Sequence, residues 1–249
     1  MKKEIYLPVL GIIAGEIMMF SGQIYTGLLI DIITILVITF ILVFSDLSSD
    51  NKKVLQSLIL VLLMRAVNLA MPQIFTDNML WYLLTYGVMF IPIYIIVKNQ
   101  QITLNELGVN SKNLHIYLPA ALLIGIVFSY FEFLITNPAS LIVDLKPANI
   151  ALLAVIIFIF VAGVEELIFR SILQTRLENV FGLTNSIFLS GILFGIMHSI
   201  YGIIPEILFA SIYGIVIGYI FQKTKSFPFI LTIHGINNVF LFGILPILI

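Results

Sequence analysis

"ANIALLAVIIFIFVAGVEELIFRS", residues 148–171, decides the architecture of this chain. Its stretch 148–164 is apolar but for Asn149, and is about the length that crosses a hydrocarbon core of ~30 Å as a helix. The residues that follow place Glu165, Glu166 and Arg170 in direct continuation of that run. At membrane depth each such charge costs at least ~2.5–3.5 kcal/mol, so each needs a partner or a purpose.

Such apolar runs recur along the whole chain. Of its 249 residues 61% are hydrophobic and 10% charged, where a soluble domain carries about a quarter charged residues. The expected fold class is all-α: a polytopic transmembrane helix bundle of eight to nine spans with a cytoplasmic N-terminus. Nine can be drawn, at about 5–22, 25–45, 54–71, 79–97, 116–136, 149–170, 185–203, 205–222 and 228–249. The short connections hold turn formers, as in "SDLSSDNKK", "PQIFTDN" and "TKSFP". The ten-residue alternation of a membrane β-barrel is missing. With no linker or internal repeat, residues 1–249 read as a single integral membrane domain, its chemistry concentrated at about 149–249. The start, "MKKEIYLPVLGIIAGEIMMF", lacks a small-x-small cleavage site and reads as a retained first helix.

Lys and Arg test the count. With the N-terminus cytoplasmic, one side collects Lys2, Lys3, Lys52, Lys53, Lys98, Lys112, Arg170, Arg176, Lys223 and Lys225, and the other only Lys146. That asymmetry is what the positive-inside rule demands. The loop 98–115 is expected to hold a short interfacial helix. A net charge of −1 offers nucleic acid no basic surface, and the absence of cysteine excludes disulfide and thiolate chemistry.

Polar residues inside the spans fall into two groups. Glu16, Asp31 and Arg65, on the first three spans, read as an ion-paired cluster that docks helices. Glu132 near a helix end, Glu206 after Pro205 and His115 in a loop need no function. The second group lies in the last four spans: Glu165, Glu166, Arg170, His198, His234, Asn237 and Asn238. Two histidines, a carboxylate pair and amides in apolar helices read as one shared polar site. Glu166 and Arg170 are four apart on one helix face and can neutralise each other; Glu165, about 100° round the helix, stays available. His234 and Asn238 project together, as do Phe194 and His198. "GILFG" and "GIVIG" are small-xxx-small patterns that let helices approach closely. The levels of these groups agree if the sixth helix continues through "SILQTRLENVFG", which places the site in the cytoplasmic half of the bilayer.

"EELIFR" (Glu165, Glu166, Arg170), "FGIMH" (Phe194, His198) and "HGINN" (His234, Asn238) together resemble the three motifs of the CPBP family, which comprises type II CAAX prenyl endopeptidases and bacterial Abi and bacteriocin-processing proteins. The resemblance covers about 165–240 and implies an intramembrane endopeptidase. In it Glu165 would be the general base that activates a water, His198 would assist, His234 and Asn238 would stabilise the tetrahedral oxyanion, and Glu166, Arg170 and Phe194 would support the site.

The residues themselves agree with water as the nucleophile, since neither Ser190 nor Ser199 has a fitting His-acid partner. Removing one donor to a developing oxyanion can cost ~2.7–4 kcal/mol. The cofactor is left open. The family is commonly described as metalloproteases, and a divalent metal such as zinc would have to draw on Glu165, His198 and His234. The H-E-x-x-H spacing is absent, so metal-free water activation is slightly preferred. The expected partners are membrane lipid and a membrane-associated peptide: a CAAX-type C-terminus, a leader peptide or a bacteriocin precursor. The alternatives are a non-proteolytic immunity or partner-binding protein and a proton pathway.

Overall fold

The computed structural model describes residues 3–70 and 78–249; Met1, Lys2 and 71–77, which hold most of the "PQIFTDN" connection, lie outside the described residues. Nine helices run through the described residues: α1 Lys3–Phe20, α2 Ile24–Phe44, α3 Ser49–Ala70, α4 Asn78–Asn99, α5 Leu114–Thr136, α6 Pro147–Phe181, α7 Leu183–Ile196, α8 Ile204–Thr224 and α9 Phe227–Leu248. Seven of them are long and apolar enough to cross a membrane. The other two are α1, with Lys3, Glu4 and Glu16, and α3, whose polar first turns and Arg65 lower its hydropathy. The chain is a multi-pass membrane protein.

Helix α6 is the hub. Of its apolar window 61% is buried, against 22% for α2, α4 and α5. It does continue to Phe181, past the end drawn from the sequence. Two π-helical stretches, Ile157–Ala162 and Leu167–Gln174, bracket the short α-helical turn Gly163–Glu166. Each widens the backbone ring, as where Gly163 N–H reaches Phe158 O five residues back. Such stretches are frequent at functional sites.

Close helix approaches depend on small residues. A Cβ on Gly125 of α5 would meet Ile233 O of α9 at 2.8 Å, and one on Gly195 of α7 would meet Ser211 N of α8 at 2.5 Å. Gly191 and Gly214 face each other, but Gly218 packs on the Gln174 side chain instead of on α7 backbone.

One face of the bundle gathers the ends carrying Lys53, Lys98, Arg176 and Lys225. The segment 100–113 caps it as a series of turns, without the interfacial helix expected there. Side-chain and backbone bonds tie it down: Arg176 Nε donates to Gln100 Oε1 at 2.8 Å, Ser171 Oγ to Leu107 O at 2.8 Å, and Phe227 N to Gly108 O at 2.8 Å. The Thr103 backbone N–H, with help from Arg176, holds the Glu106 carboxyl below its ordinary range. On the opposite face Leu141 N donates to Phe242 O at 2.8 Å, joining the 137–146 connection to α9.

Candidate functional site

The turn Gly163–Glu166 of α6 carries both glutamates inward. Glu166 and Arg170 are fully buried, and Arg170 Nη1 donates to Glu166 Oε1 at 3.0 Å. The same Oε1 takes a second bond from His234 Nδ1 at 2.7 Å. The other nitrogen of His234, Nε2, stands 3.6 Å from Glu165 Oε2. His234 is therefore held between the two carboxylates. Glu165 is not free of partners, as helix geometry alone would have it: Tyr86 of α4 donates its hydroxyl to Oε1 at 2.7 Å.

Helix α7 stops at Ile196, short of the end drawn for its span, so His198 lies in the following turn and not within an apolar helix. Its Nδ1 is 2.9 Å from Phe194 O. A carbonyl only accepts, so Nδ1 carries the proton and Nε2 keeps its lone pair. The Phe194 ring contacts His198 at 4.9 Å and His234 at 6.0 Å, and the Arg170 guanidinium lies over it at 4.2 Å from the centroid. That cation–π contact matters, because Nε and Nη2 of Arg170 have no hydrogen-bond partner among the described residues.

All the histidines and acids expected to act open onto one cavity of about 810 Å³, lined by Glu165, His198, His234 and Asn238. Aromatic rings supply much of the remaining wall, among them Trp81, Tyr82, Tyr86, Tyr201 and Tyr213. A cavity of this size with few convergent polar groups has the character of a small-molecule or peptide site. His115, by contrast, is exposed at the start of α5.

Several participants escape the sequence reading. Glu132 does not reach headgroups; it is buried, lines the cavity and accepts a hydrogen bond of 2.7 Å from Asn237 Nδ2. The same nitrogen is 3.1 Å from Asn238 Oδ1. With its oxygen so occupied, Asn238 presents its NH₂ as the free edge. Glu206 is likewise buried, and both its oxygens lack hydrogen-bond partners among the described residues. The helix-docking ion pair forms between Glu16 and Arg65, while Asp31 stays beside it with neither oxygen hydrogen-bonded among the described residues. That pair does more than dock helices. Arg65 Nη2 donates to Met197 O, and Ser199 Oγ donates to Glu16 Oε2, so both neighbours of His198 are held. Ser190 is committed to Phe169 O at 2.8 Å.

Residues 147–240 match the family model described as type II CAAX prenyl endopeptidase Rce1-like. The chain carries an Rce1-like domain. No curated protein and no solved structure matches it. The Rce1-like domain begins with α6 and ends within α9, so it holds all three motifs. It suggests an intramembrane protease acting on a peptide. Tyr86, Glu132, Arg65 and Glu16 lie outside it, on α1, α3, α4 and α5, yet they bond its site residues or the turn that carries them.

Among the described residues no three His, Asp or Glu side chains converge closely enough to hold a metal ion. The bonds of His234 Nδ1 to Glu166 and of Glu165 Oε1 to Tyr86 leave Nε2 and Oε2 open, so what is missing is a third ligand beside them. The side chains as arranged do not fit a zinc set drawn from Glu165, His198 and His234.

Counted along the chain from the helix ends nearest the basic loops, Glu165 lies roughly four helical turns from Phe181, His198 roughly four from Leu183 and His234 roughly two from Phe227.

Proposed function

We propose that the chain is an intramembrane endopeptidase in which Glu165 activates a water that attacks a peptide carbonyl. The observation that carries this reading is the 3.6 Å gap between Glu165 Oε2 and His234 Nε2 on the wall of the cavity. It is too long for a direct hydrogen bond, and a water on the cavity side of the pair can touch both atoms.

In this scheme the water oxygen forms a bond to the carbonyl carbon and its proton passes to Glu165. The tetrahedral oxyanion receives hydrogen bonds from the Asn238 amide and from His234, whose imidazolium form would donate from Nε2 while Nδ1 stays on Glu166. The C–N bond then breaks, the amine leaves with the proton held by Glu165, and the other product is a carboxylic acid. His198, with its lone pair on Nε2, holds the water or the leaving amine in line. Glu166, Arg170 and Phe194 fix His234 and His198. Charge stabilisation by groups already in place usually contributes most to such catalysis.

The helices outside the Rce1-like domain belong to the same unit, since they supply Tyr86 and Glu132 to its cavity. We read the basic face as cytoplasmic, from the Lys and Arg distribution. Links to bacteriocin processing or immunity, and to a metal, rest on the motif resemblance alone.

The test compares new peptide termini, by mass spectrometry, in membranes carrying the wild type, Glu165→Gln or His198→Ala. Products present with the wild type should vanish with both variants while both stay inserted and folded. Products or a phenotype surviving both substitutions would sink hydrolysis and favour a partner-binding protein.

A further inference from the structure

Two features of the fold give the cavity a side. Its wall includes five helix ends or turns that lie away from the basic loops: the start of α2 at Tyr25, the end of α3 at Asn68, the start of α4 at Trp81, the end of α5 at Glu132 and the turn after α7 at Ile200. Towards the basic loops the bundle is closed. Ile172, Leu173, Phe221 and Ile230 there are entirely buried. Across them lies the 100–113 segment, bonded to Ser171 and Phe227.

The charge distribution gives the membrane a side. Among the described residues, Lys3, Lys52, Lys53, Lys98, Lys112, Arg176, Lys223 and Lys225 belong to the closed face, and Lys146 alone to the cavity face. Short basic loops stay in the cytoplasm. Trp81, Tyr25 and Tyr201 near the mouth are of the residue types that settle at a membrane interface.

We infer that the cavity is entered from the face opposite the basic loops, so that its substrate is an apolar peptide segment of an exported or membrane-anchored protein, presented at the outer side of the membrane. The cytoplasmic C-terminal tail of a lipidated protein would meet the sealed face. The occupant is a peptide because the mouth leads to Glu165 and Asn238, and it is apolar because rings make much of the wall. The word substrate rests on the hydrolytic reading above; the side of entry does not.

The lack of cysteine makes a direct test available. Single cysteines are placed at the mouth, Tyr25→Cys and Ile200→Cys, both at exposed positions, and on the basic face, Lys52→Cys and Lys112→Cys. Intact cells are treated with a membrane-impermeant maleimide, then compared with permeabilised cells. The mouth cysteines should label in intact cells at least about tenfold more than the basic-face cysteines, which should label only after permeabilisation. The reverse pattern overturns the inference, and so do mouth cysteines that label from neither side. Expected labelling without any Glu165-dependent cleavage products would defeat hydrolysis and leave the side of entry standing. Reversed labelling with those products retained would do the opposite.

Discussion

The guanidinium of Arg65 grips the carboxylate of Glu16 through two hydrogen bonds of 2.7 Å, Nε to Oε1 and Nη2 to Oε2. Both side chains are buried, and through Met197 and Ser199 the pair holds the turn that carries His198. Removing one partner strands a charge in a water-poor interior, at a cost of about 3–5 kcal/mol. Arg65→Met should destabilise the purified protein by about that much in a detergent unfolding assay. Glu16→Leu combined with Arg65→Met should cost well under the sum of the two single changes, because the stranded charge is gone.

Glu165 and Glu166 are adjacent and should behave differently when neutralised. Glu166→Gln leaves Arg170 fully buried without a counter-charge, so about 3–5 kcal/mol of stability should be lost with activity. Glu165→Gln keeps an acceptor for the Tyr86 hydroxyl and should stay within about 1 kcal/mol of the wild type while turnover disappears. Thermal unfolding beside a cleavage assay separates the two outcomes.

Much of the last four helices could be read from local spacing. Glu166–Arg170 and Phe194–His198 are four apart; helical spacing brings the first pair together, and a turn held by His198 Nδ1 on Phe194 O keeps the second together. What could not be read is how α1–α5 meet them. A helix that is apolar all round shows no inward face by hydropathy: Ala121 is buried and Leu123 exposed on α5, and both are simply apolar in the sequence. A second signal was available there. Ala121, Gly125 and Ser129 form a stripe of small residues at spacing four, all buried, and continuing it leads to Glu132 and Phe133. Membrane helices pack along such stripes, so the stripe marked Glu132 as inward-facing. Tyr86 carried only the weaker hint that a phenol in an apolar helix wants a partner for its hydroxyl. The end of α7 before His198 is not announced either: Gly195 lies inside its last turn without the positive φ of a helix-ending glycine, and Gly202, at φ +71°, closes the turn only after His198.

Gly195 lies one turn before His198 and against the backbone of α8. An added methyl would sit 2.5 Å from Ser211 N and 2.6 Å from its Cα, and backbone cannot yield as a flexible side chain can. Gly195→Ala should force α7 and α8 apart, cost about 1–3 kcal/mol by overpacking, and lower turnover through displacement of the His198 turn. Unfolding measurements and a cleavage assay check both parts.

Asn237 holds the orientation of Asn238, and Glu132 holds Asn237. If the free NH₂ of Asn238 stabilises the oxyanion, breaking this chain should act on the chemical step. A hydrogen bond to a charged group contributes about 1.5–3 kcal/mol, so Glu132→Ala should lower kcat by roughly 10- to 150-fold. Asn237→Ala should do the same, and adding it to Glu132→Ala should cost little more. Changes confined to KM would point instead to Glu132 as a contact for substrate.

The cap over the basic face carries its own pH dependence. The Thr103 backbone N–H and then Arg176 hold the Glu106 carboxyl below its ordinary range, and Arg176 Nη1 is 3.2 Å from Glu106 Oε1. A depressed folded-state pKa means that the bound form is favoured while the carboxyl is ionised. The stabilisation is therefore complete above the unfolded value of 4.5 and is lost as pH falls through the lower, folded value. Between pH 7 and pH 5 the cap should stay docked; below about pH 4 amide exchange in residues 100–113 should speed up. Glu106→Gln should show the faster exchange at neutral pH already and remove most of the acid dependence. Hydrogen exchange followed by mass spectrometry measures both, and an acid transition that persists unchanged in Glu106→Gln would place the sensor elsewhere.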